Sequence, residues 1–564
     1  MAATDIIKAV LLLLAGLGTF LIGLDIMGKN IESFAGDRLR GLFTKISDKK
    51  LVGIGTGCVT TILTQSSTAT TVMTVGFVNT GIMTLTQAAA IIMGANIGTT
   101  ATAYLIALQK LPISAFFAAM ACVGAFMQMI KKSSVKNIGL ILSGIGLLFV
   151  GLNVMSTSMS SVIEIKNAEN KSVIGEIILK FSGDKFYLKF LLMLIGAILT
   201  ALLHSSAATT SILIGLCSSG AMTLEPAFYV TLGMNVGTCL TAVVASLGQT
   251  TNAKRASMVH LLFNIIGTII FGIILLAFGK KILALIDGDN ISIEIKIAIF
   301  HTIFNLTTTL LMYPFINQLA KFASLLVPEK KGLVNDEFAD RFTYVNNLIL
   351  KTPTIAMEML RKEIVKMAND AKTNLMLAIG MLNSKNLERL EEFQKREKHI
   401  DFINKNLSKY LVKVSSQEIT YEQEKEISTY YHNISDIERI GDYAENIVEY
   451  AEDLIKAGVD FSDDCKVELA DMVNAVLNEI NLTITAFENK TLKDYAEIDA
   501  AEDLTDTYFN VLSRNHIGRL NQGICKAEAA SVFISLIGNL ERIGDHTMNI
   551  VNAMKMYLRM PVQK

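Results

Sequence analysis

The chain repeats part of itself at a constant offset of 139 residues, and this repeat constrains the fold more than any other feature. TQSSTATT at 64–71 pairs with LHSSAATT at 203–210, and GANIGT at 94–99 pairs with GMNVGT at 233–238. About twenty residues between 57 and 103 are identical to their partners, without a gap. Such a match indicates one structural unit that occurs twice.

A second match extends the repeated unit toward the N-terminus. GLGTFLIGLDIM at 16–27 pairs with GIGLLFVGLNVM at 144–155, at an offset of 128. Each unit therefore holds one span, one interrupted apolar stretch and two further spans. Because three crossings are an odd number, the second copy enters the membrane upside down, which predicts an inverted repeat.

Apolar runs of about 20 residues, long enough to cross a bilayer, recur through the first 330 residues. Two further apolar stretches, 51–80 and 190–219, carry Ser and Thr at their centres. This pattern predicts re-entrant hairpins, each made of two half-helices that meet inside the membrane. The predicted crossings are 6–27, 82–107, 111–130, 138–157, 221–247, 255–279 and 297–326.

Charge divides the chain into two domains. Only 18% of residues are charged and the net charge is −1, which argues against a nucleic acid partner. The predicted fold class is all-α: a polytopic membrane domain of two inverted repeats with re-entrant hairpins, then a soluble tandem three-helix-bundle domain. The predicted boundaries are 1–330 for the membrane domain (repeat 1 about 6–130, repeat 2 about 138–280, an extra span about 297–326), 331–353 for a linker and 354–564 for the soluble domain.

Basic residues assign the sides of the membrane. Lysine and arginine concentrate in 29–50, in 131–136 and at Lys254 and Arg255, and the positive-inside rule places these loops in the cytoplasm. Seven crossings then put the N-terminus outside and the soluble domain in the cytoplasm, in a bacterial inner (plasma) membrane. The six cysteines form no C-x-x-C pair, so we predict neither a disulfide framework nor a zinc site.

The interrupted stretches place hydroxyl groups where a half-helix begins. A helix N-terminus presents unpaired N–H groups and about half a positive charge, and neighbouring hydroxyls either donate to an anion or accept a cation. Small-residue helix packing is the alternative, but packing gives no reason to duplicate amides beside paired hydroxyls. The candidate substrate and ion ligands are Gln65, Ser66, Ser67, Thr68, Thr70, Asn96, Thr99, His204, Ser205, Ser206, Thr209, Asn235 and Thr238.

Both interrupted stretches lack basic side chains. Between Leu51 and Leu108, and between Phe190 and Gly248, there is no Lys or Arg, and Glu225 is the only charged residue. An anion left unpaired at low dielectric would cost many kcal/mol. Because helix dipoles compensate only in part, we predict that Na⁺ binds with the anion.

The QSS motif and the duplicated hairpin resemble the type II sodium–phosphate cotransporter family, over about residues 6–280. The resemblance implies binding of inorganic phosphate and Na⁺ at the matched positions, which are Gln65, Ser66, Ser67, Ser205 and Ser206. This chain departs from the motif at His204, where Gln is expected, and at Thr68 and Ala207. His204 either tunes the pH dependence or replaces the amide as a neutral hydrogen-bonding group.

Two other histidines share an H-x-x-F-N pattern, His260 in HLLFN and His301 in HTIFN. For these we favour hydrogen bonding between histidine and asparagine of neighbouring helices.

The soluble half repeats an acidic pattern. ERIGD occurs at 438–442 and 541–545, and a second E-x-x-x-D lies upstream of each, at 397–401 and 502–506. This spacing puts two carboxylates on one helical face, and gathered carboxylates favour a polyvalent metal. The repeat resembles the PhoU domain over about 350–560, which implies metal ligands. Salt bridges to Arg439 and Arg542 are the alternative. The candidate ligands are Glu397, Asp401, Glu438, Asp442, Glu502, Asp506, Glu541 and Asp545.

These features favour a sodium-coupled phosphate transporter that works by alternating access and carries a regulatory, metal-binding PhoU-like domain. The alternatives are a phosphate exporter and a membrane-anchored phosphate sensor that signals through the PhoU-like domain. The expected partners are phosphate, sodium and the lipid bilayer, while a homodimer and a phosphate-signalling protein stay open. We predict no enzyme activity, because no nucleophile–base set and no nucleotide loop occur in the sequence.

Overall fold

The computed structural model describes residues 3–34, 49–108, 114–130, 132–163, 185–247, 249–286, 288, 291–328, 342–417 and 419–558. Within these ranges every regular element is a helix. Arg38, Arg40, Lys45 and Lys131, which contribute to the side assignment, lie outside the described residues, as do 111–113 of one predicted span and 331–341 of the predicted linker. By its contacts the chain divides into two compact units, Met1–Lys331 and Gly332–Val562.

The first unit is built from twelve described helices. In chain order they are α1 Ala3–Phe34, α2 Lys50–Thr64, α3 Ser67–Asn79, α4 Leu85–Ala107, α5 Ser114–Gln128, α6 Ser133–Ile163, α7 Phe186–Leu203, α8 Ser206–Ser218, α9 Leu224–Ser246, α10 Thr251–Ile286, α11 Ile293–Met312 and α12 Ile316–Leu326. A short 3₁₀ turn, Tyr313–Phe315, joins the last two, so they form one long apolar segment.

Seven segments in the described ranges are long and apolar enough to cross a membrane. The predicted number is also seven, but one member differs. Phe186–Leu203 qualifies, because its 18 residues extend about 27 Å, close to the thickness of a bilayer core. The predicted span 111–130 is described only as Ser114–Gln128, which has 15 residues. Ser206–Ser218 has 13 residues and extends only about 20 Å.

The matched spans α1 and α6 pack directly against each other. A Cβ atom added to Gly23 would lie 2.3 Å from the backbone nitrogen of Leu148, and one added to Gly151 would lie 2.3 Å from that of Phe20. Because Gly16 lies beside Gly151 and Gly23 beside Gly144, the two helices run antiparallel. Two helices that are related in sequence therefore pack against each other in antiparallel orientation.

The repeat also governs how α2 packs on α4 and α7 on α9. A Cβ atom on Gly94 would lie 1.9 Å from the carbonyl oxygen of Ile54, and one on Gly233 would lie 1.8 Å from that of Met193. Both pairs are related by the offset of 139. The same backbone-to-backbone contact, which needs the absence of a side chain, therefore occurs in both repeats.

The second unit contains two groups of three helices. Its helices are α13 Pro353–Ser384, α14 Leu390–Ser415, α15 Tyr421–Ala457, α16 Asp463–Asn489, α17 Tyr495–Asn521 and α18 Ala527–Leu558. Within each group all three helices contact one another. A capping box at Thr420 and Gln423 starts α15, because each side chain satisfies a backbone N–H of the other residue. Buried aliphatic residues fill the space between the helices.

Candidate functional site

Both motif serines lie at helix breaks with the same backbone geometry. Gln65 ends α2 in the left-handed conformation, with φ 52° and ψ 24°, and His204 ends α7 with φ 51° and ψ 24°. Each next residue is extended, with φ −145° at Ser66 and −149° at Ser205. A left-handed non-glycine residue is uncommon, so its occurrence at both breaks marks a structural requirement of the repeat.

Each break serine caps the helix that follows. The Ser66 hydroxyl accepts a hydrogen bond of 3.1 Å from the backbone N–H of Ala69, and the Ser205 hydroxyl accepts one of 3.2 Å from that of Ala208. The hydroxyls of Thr70 and Thr209 donate back to the carbonyl oxygens of Ser66 and Ser205, at 3.1 and 3.2 Å. The positive end of each short helix therefore carries a hydroxyl in its first turn.

The residue before each serine binds an equivalent threonine. Thr102 donates to the amide oxygen of Gln65 at 3.1 Å, and the Thr241 hydroxyl lies 3.2 Å from Nδ1 of His204. Thr102 and Thr241 are themselves related by the offset of 139. The sequence reasoning missed both threonines, although their identity across the repeat was a usable signal. The imidazole thus occupies the hydrogen-bonding position of the amide.

The remaining candidates on α4 and α9 are buried. Asn96 donates to the carbonyl of Ile92 at 2.8 Å. Asn235 instead bonds across helices, because its Oδ1 accepts from Nε2 of His301 on α11 at 3.2 Å. Its Nδ2 has no hydrogen-bond partner among the described residues. Thr99 and Thr238 donate to carbonyls of their own helices.

The two histidines of the H-x-x-F-N pattern differ in their contacts. His301 makes the interhelical bond to asparagine that the pattern suggested. His260 is fully buried, yet neither of its ring nitrogens has a hydrogen-bond partner within the described part of the chain. Asn264 donates to the backbone carbonyl of His260 at 3.0 Å. His301 therefore contacts one of the candidate ligands, Asn235, although the sequence analysis did not count it among the candidates.

Several buried hydroxyls near the breaks keep oxygen atoms available. Thr61 donates to Thr70 at 3.0 Å, which ties α2 to α3 across the first break. The hydroxyl oxygens of Thr60, Thr71 and Thr200 have no hydrogen-bond partner in the ranges described above. Ser67 is buried, whereas Thr68 and Ser206 are half-buried. Neutral oxygen donors of this kind are suited to Na⁺ rather than to a soft metal ion.

Glu225 is the only charged side chain between Leu51 and Leu108 and between Phe190 and Gly248, and a lysine of the neighbouring helix neutralises it. Lys189 of α7 forms an ion pair of 3.2 Å with Glu225 of α9. Each helix that follows a break also packs on the long helix of the other repeat, α3 on α9 and α8 on α4. The breaks therefore lie in a polar but uncharged region that both repeats build together.

The first three-helix group gathers the predicted carboxylates around a buried glutamate. Burial raises the pKa of Glu397 to about 7, and the nearby carboxylates of Asp401 and Asp442 add to this shift. Asn374 of α13 opposes it by donating to Glu397 at 3.1 Å. Burial and then Asp442 and Asp401 raise the pKa of Glu438 as well. The electrostatic coupling indicates that all four predicted residues share one region.

The second group contains a glutamate that sequence reasoning missed. Glu479 of α16 is fully buried, and burial raises its pKa to about 9, with further contributions from Glu502, Asp506 and Asp545. Glu541 is coupled to Asp545 and Asp506. At the offset of 105 that relates 397 to 502, Glu479 replaces Asn374 of the first group. The second cluster therefore has a buried carboxylate where the first cluster has an amide.

The glycine of each ERIGD motif makes room for the central carboxylate. A Cβ atom on Gly441 would lie 3.2 Å from both carboxylate oxygens of Glu397, and one on Gly544 would lie 3.0 Å from Oε2 of Glu479. Within the described residues no ion pair within 4.0 Å involves Arg439 or Arg542, although each arginine opposes the upward shift in the pKa of the glutamate before it. The carboxylate oxygens of the two acidic clusters are not gathered as closely as the ligands of a metal ion. Among described groups, only Cys465, His516 and Cys525 place three ligand atoms within 4.8 Å of one another.

These features define a multi-pass membrane protein with a duplicated polar helix break and a helical C-terminal unit. Residues 19–157 and 170–288 match the Na+/Pi-cotransporter family model, and residues 364–451 and 469–554 match the PhoU domain. The membrane unit therefore matches the Na+/Pi-cotransporter family model and the second unit matches the PhoU domain, which confirms both resemblances.

Curated relatives match either nearly the whole chain or a part of it. The chain is 22% identical over 542 residues, 94% of each chain, to the "Putative inorganic phosphate export protein YjbB" of Escherichia coli (strain K12). It is 28% identical over 311 residues to the "Uncharacterized protein YqeW" of Bacillus subtilis (strain 168), covering 55% of this chain and 96% of that protein. It is 33% identical over 135 residues, 22% of this chain and 20% of that protein, to the human "Sodium-dependent phosphate transport protein 2B". No solved structure matches significantly.

Proposed function

We propose that the chain is a sodium-coupled transporter of inorganic phosphate that works by alternating access around the two helix breaks. The observation that carries this proposal is the duplicated break, in which the left-handed residue, the capping serine and the threonine partner all recur. The substrate is the one indicated by the family and by the printed names of relatives. The membrane domain would comprise 1–330, the linker 331–353 and the PhoU-like domain 354–564.

The polarity of the breaks supports coupling to Na⁺. Phosphate at a break meets helix N-termini and hydroxyls but no lysine or arginine of these segments, since Lys189 is engaged with Glu225. Two partial helix charges of about half a unit do not offset a phosphate anion in a poorly solvated region. The oxygens of Thr60, Thr71 and Thr200 and the side chains of Asn96 and Asn235 are ligands of the kind that Na⁺ accepts.

The packing of the repeats supports an inverted architecture. The matched spans α1 and α6 run antiparallel, and each helix after a break packs on the other repeat. In this proposal, α2 with α3 and α7 with α8 form re-entrant hairpins whose tips face a central site. Alternating access then exchanges the exposure of the two tips by a motion of one repeat against the other. The N-terminus would lie outside an inner (plasma) membrane and the PhoU-like domain inside.

Export is the second candidate direction. The relative that matches over 94% of both chains carries a name that includes phosphate export. A coupled carrier runs in either direction, according to the gradients of its ions, so this candidate uses the same site. The decision between import and export then depends on the sodium and phosphate gradients and on regulation by the PhoU-like domain.

Phosphate binding to the purified protein tests the site itself. We expect equilibrium dialysis with labelled phosphate to give saturable binding in NaCl and binding weaker by about tenfold or more in KCl, because only Na⁺ completes the charge balance. Equal binding in the two salts would contradict sodium coupling at the breaks. Sulfate serves as a competitor that reports selectivity.

His204 is expected to act as a neutral hydrogen-bonding group. Its partner Thr241 corresponds to Thr102, which already bonds to an amide, so His204→Gln should keep transport within about threefold of wild type. His204→Leu should lose about fivefold, the equivalent of one hydrogen bond of about 1 kcal/mol. Uptake measured between pH 6 and 8 should change equally with pH in wild type and His204→Gln. A loss of pH dependence in His204→Gln would instead indicate a titrating imidazole.

We propose further that the two acidic clusters bind polyvalent metal ions and regulate transport. The ligands would be Glu397, Asp401, Glu438 and Asp442 in the first group, and Glu502, Asp506, Glu541 and Asp545 with the buried Glu479 in the second. The carboxylates in each cluster raise one another's pKa values because their negative charges repel. A hard cation bound between them relieves this repulsion.

Glu479 predicts a specific pH dependence of stability. Its pKa in the folded protein, about 9, lies above the ordinary value of 4.5. The contribution of Glu479 to the stability of the metal-free protein should therefore be greatest below pH 4.5 and be lost as the pH rises toward 9. In EDTA-treated full-length protein, Glu479→Gln should raise the unfolding midpoint at pH 8 by several degrees, with about 2–4 °C for each kcal/mol, and leave it nearly unchanged at pH 5.

The matched control for this prediction is Glu488→Gln, which removes an exposed carboxylate of the same helix. Thermal unfolding followed by circular dichroism gives the midpoints. Identical pH slopes in wild type and Glu479→Gln would contradict the raised pKa. Added Mn²⁺ should stabilise wild type more than Glu479→Gln, since the substitution removes a ligand of the ion.

A further inference from the structure

The second unit contains a thiol-rich cluster whose residues belong to neither of the acidic clusters. Cys465 is in the first turn of α16, His516 is on α17, and Cys525 is in the connection between α17 and α18. Their ligand atoms all lie within 4.8 Å of one another. Cys465 and His516 are 51 positions apart in sequence, and His516 and Cys525 are 9 apart, so no short cysteine motif indicates the cluster. The fold alone brings them together.

The cluster is buried, and the contacts within it leave hydrogen-bonding groups without good partners. Cys465 is 0% exposed, His516 is 2% exposed, and Cys525 is half-buried. The sulfur of Cys465 lies 3.5 Å from Nδ1 of His516, which is at most a weak S–H···N bond. Nε2 of His516 has no hydrogen-bond partner in the described part of the chain. Burying this ring without partners for both nitrogens costs free energy that nothing in the cluster offsets.

The distances and donors fit a tetrahedral metal ion. Zinc–sulfur bonds of about 2.3 Å and zinc–nitrogen bonds of about 2.0–2.1 Å place sulfur and nitrogen about 3.6 Å apart across a tetrahedral ion. The observed separation of 3.5 Å between Cys465 Sγ and His516 Nδ1 agrees with this value. A disulfide between the cysteines would leave the imidazole out, whereas a metal ion uses all three groups.

The surroundings hold the ligands in place and offset part of the rise in the pKa of Cys465 that burial causes. The His516 ring stacks on Phe533 with 4.5 Å between centroids, which fixes its orientation. Ser462 accepts a hydrogen bond from the N–H of Cys465 at the start of α16, where the helix dipole favours a negative charge. The Arg519 guanidinium, held by Glu468 at 2.6 Å, lowers the pKa of Cys465 and opposes the upward shift caused by burial.

We propose that Cys465, His516 and Cys525 form a binding site for a thiolate-preferring ion of the zinc class, in addition to the acidic clusters. Two thiolates and one imidazole match the donors that Zn²⁺ takes in proteins, with one coordination position left for water or another ligand. Binding displaces the thiol protons and forms two metal–sulfur bonds and one metal–nitrogen bond, without any redox step. The site joins α16, α17 and the start of α18, so the ion stabilises the second three-helix group.

Cobalt substitution tests the proposal on the reduced, full-length protein under anaerobic conditions. One equivalent of Co²⁺ should produce thiolate-to-cobalt charge-transfer absorption and the intense visible bands of a tetrahedral site, and Zn²⁺ should remove both. Hard-ion binding by the carboxylates gives no charge-transfer band. Cys465→Ser should lower the charge-transfer intensity by about half, since only the Cys525 thiolate remains, and weaken Zn²⁺ binding by about 100-fold or more, beyond the effect usual for an outer-sphere change.

Matched variants separate loss of a ligand from loss of folding. Cys122→Ser, at an exposed cysteine of α5, should leave the spectrum unchanged. His516→Cys keeps three soft ligands and should keep the charge-transfer band, with circular dichroism matching wild type. A Co²⁺ complex without the band, a band of unchanged intensity in Cys465→Ser, or a Cys465–Cys525 disulfide in place of bound metal would each overturn the proposal. Phosphate binding in Na⁺ is measured alongside, and its outcome is independent of this site.

Discussion

Replacing Ser66 and Ser205 together by alanine is expected to reduce sodium-dependent phosphate uptake by about 100-fold, and each single replacement by about tenfold or more. A hydrogen bond to a charged group contributes about 1.5–3 kcal/mol, and each 1.4 kcal/mol corresponds to a factor of ten. Each hydroxyl also caps the helix whose N-terminus would face the anion. Uptake of labelled phosphate into proteoliposomes, normalised to folded protein, measures the effect.

Thr84→Ala is the matched control, because it removes a helix cap of the same kind from the same unit. The Thr84 hydroxyl accepts from the backbone N–H of Gln87 at 3.3 Å, as Ser66 accepts from Ala69. Both substitutions should destabilise by about 1 kcal/mol, but only the serine replacements should remove transport. Equal losses of uptake in Thr84→Ala and Ser66→Ala would assign the serines to helix capping alone.

Gly94→Ala and Gly233→Ala are expected to be strongly destabilising substitutions in the membrane unit. A methyl group at either position would lie 1.9 or 1.8 Å from a backbone carbonyl oxygen of the facing helix. Because a backbone carbonyl cannot rotate away like a flexible side chain, the helices would have to separate, at a cost of about 3 kcal/mol or more. We expect low yields of monodisperse protein in detergent and a lower thermal midpoint.

Gly215→Ala controls for the general effect of adding a methyl group to a helix of this unit. No atom lies within 4 Å of the position that its Cβ would take. Alanine has the better helix propensity, so Gly215→Ala should be neutral or slightly stabilising. Wild-type yields and midpoints in Gly233→Ala would contradict the close contact between α7 and α9.

The breaks were predictable because their signal is local and repeated. Gln65 and His204 interrupt apolar runs just before a serine pair, and the structure ends a helix at each of them. The contacts with Thr102 and Thr241 join residues 37 positions apart, so they follow from packing and not from a local pattern. The bond between Asn235 and His301 spans 66 positions and needed the fold in the same way.

In the soluble half, too, local patterns were predictable and long-range contacts were not. The E-x-x-x-D pairs identify residues that share a helical face, which is a property of one helix. Glu479 belongs to no such pair, and only the packing of α16 brings it to Gly544 and Thr505. The cluster of Cys465 and His516 arises likewise from helices that are distant in sequence. Long-range pairs of this kind depend on which helix faces pack together. The sequence of a single helix does not determine that packing.

Flux under opposed gradients tests the central claim most directly. Proteoliposomes that hold equal labelled phosphate inside and outside receive an inward or an outward Na⁺ gradient, with K⁺ as the balancing cation. The account predicts net phosphate movement that follows the Na⁺ gradient in both orientations and that is lost in the Ser66→Ala and Ser205→Ala double variant. Phosphate flux that is the same with Na⁺ and K⁺, or sodium-dependent binding without any flux, would contradict it.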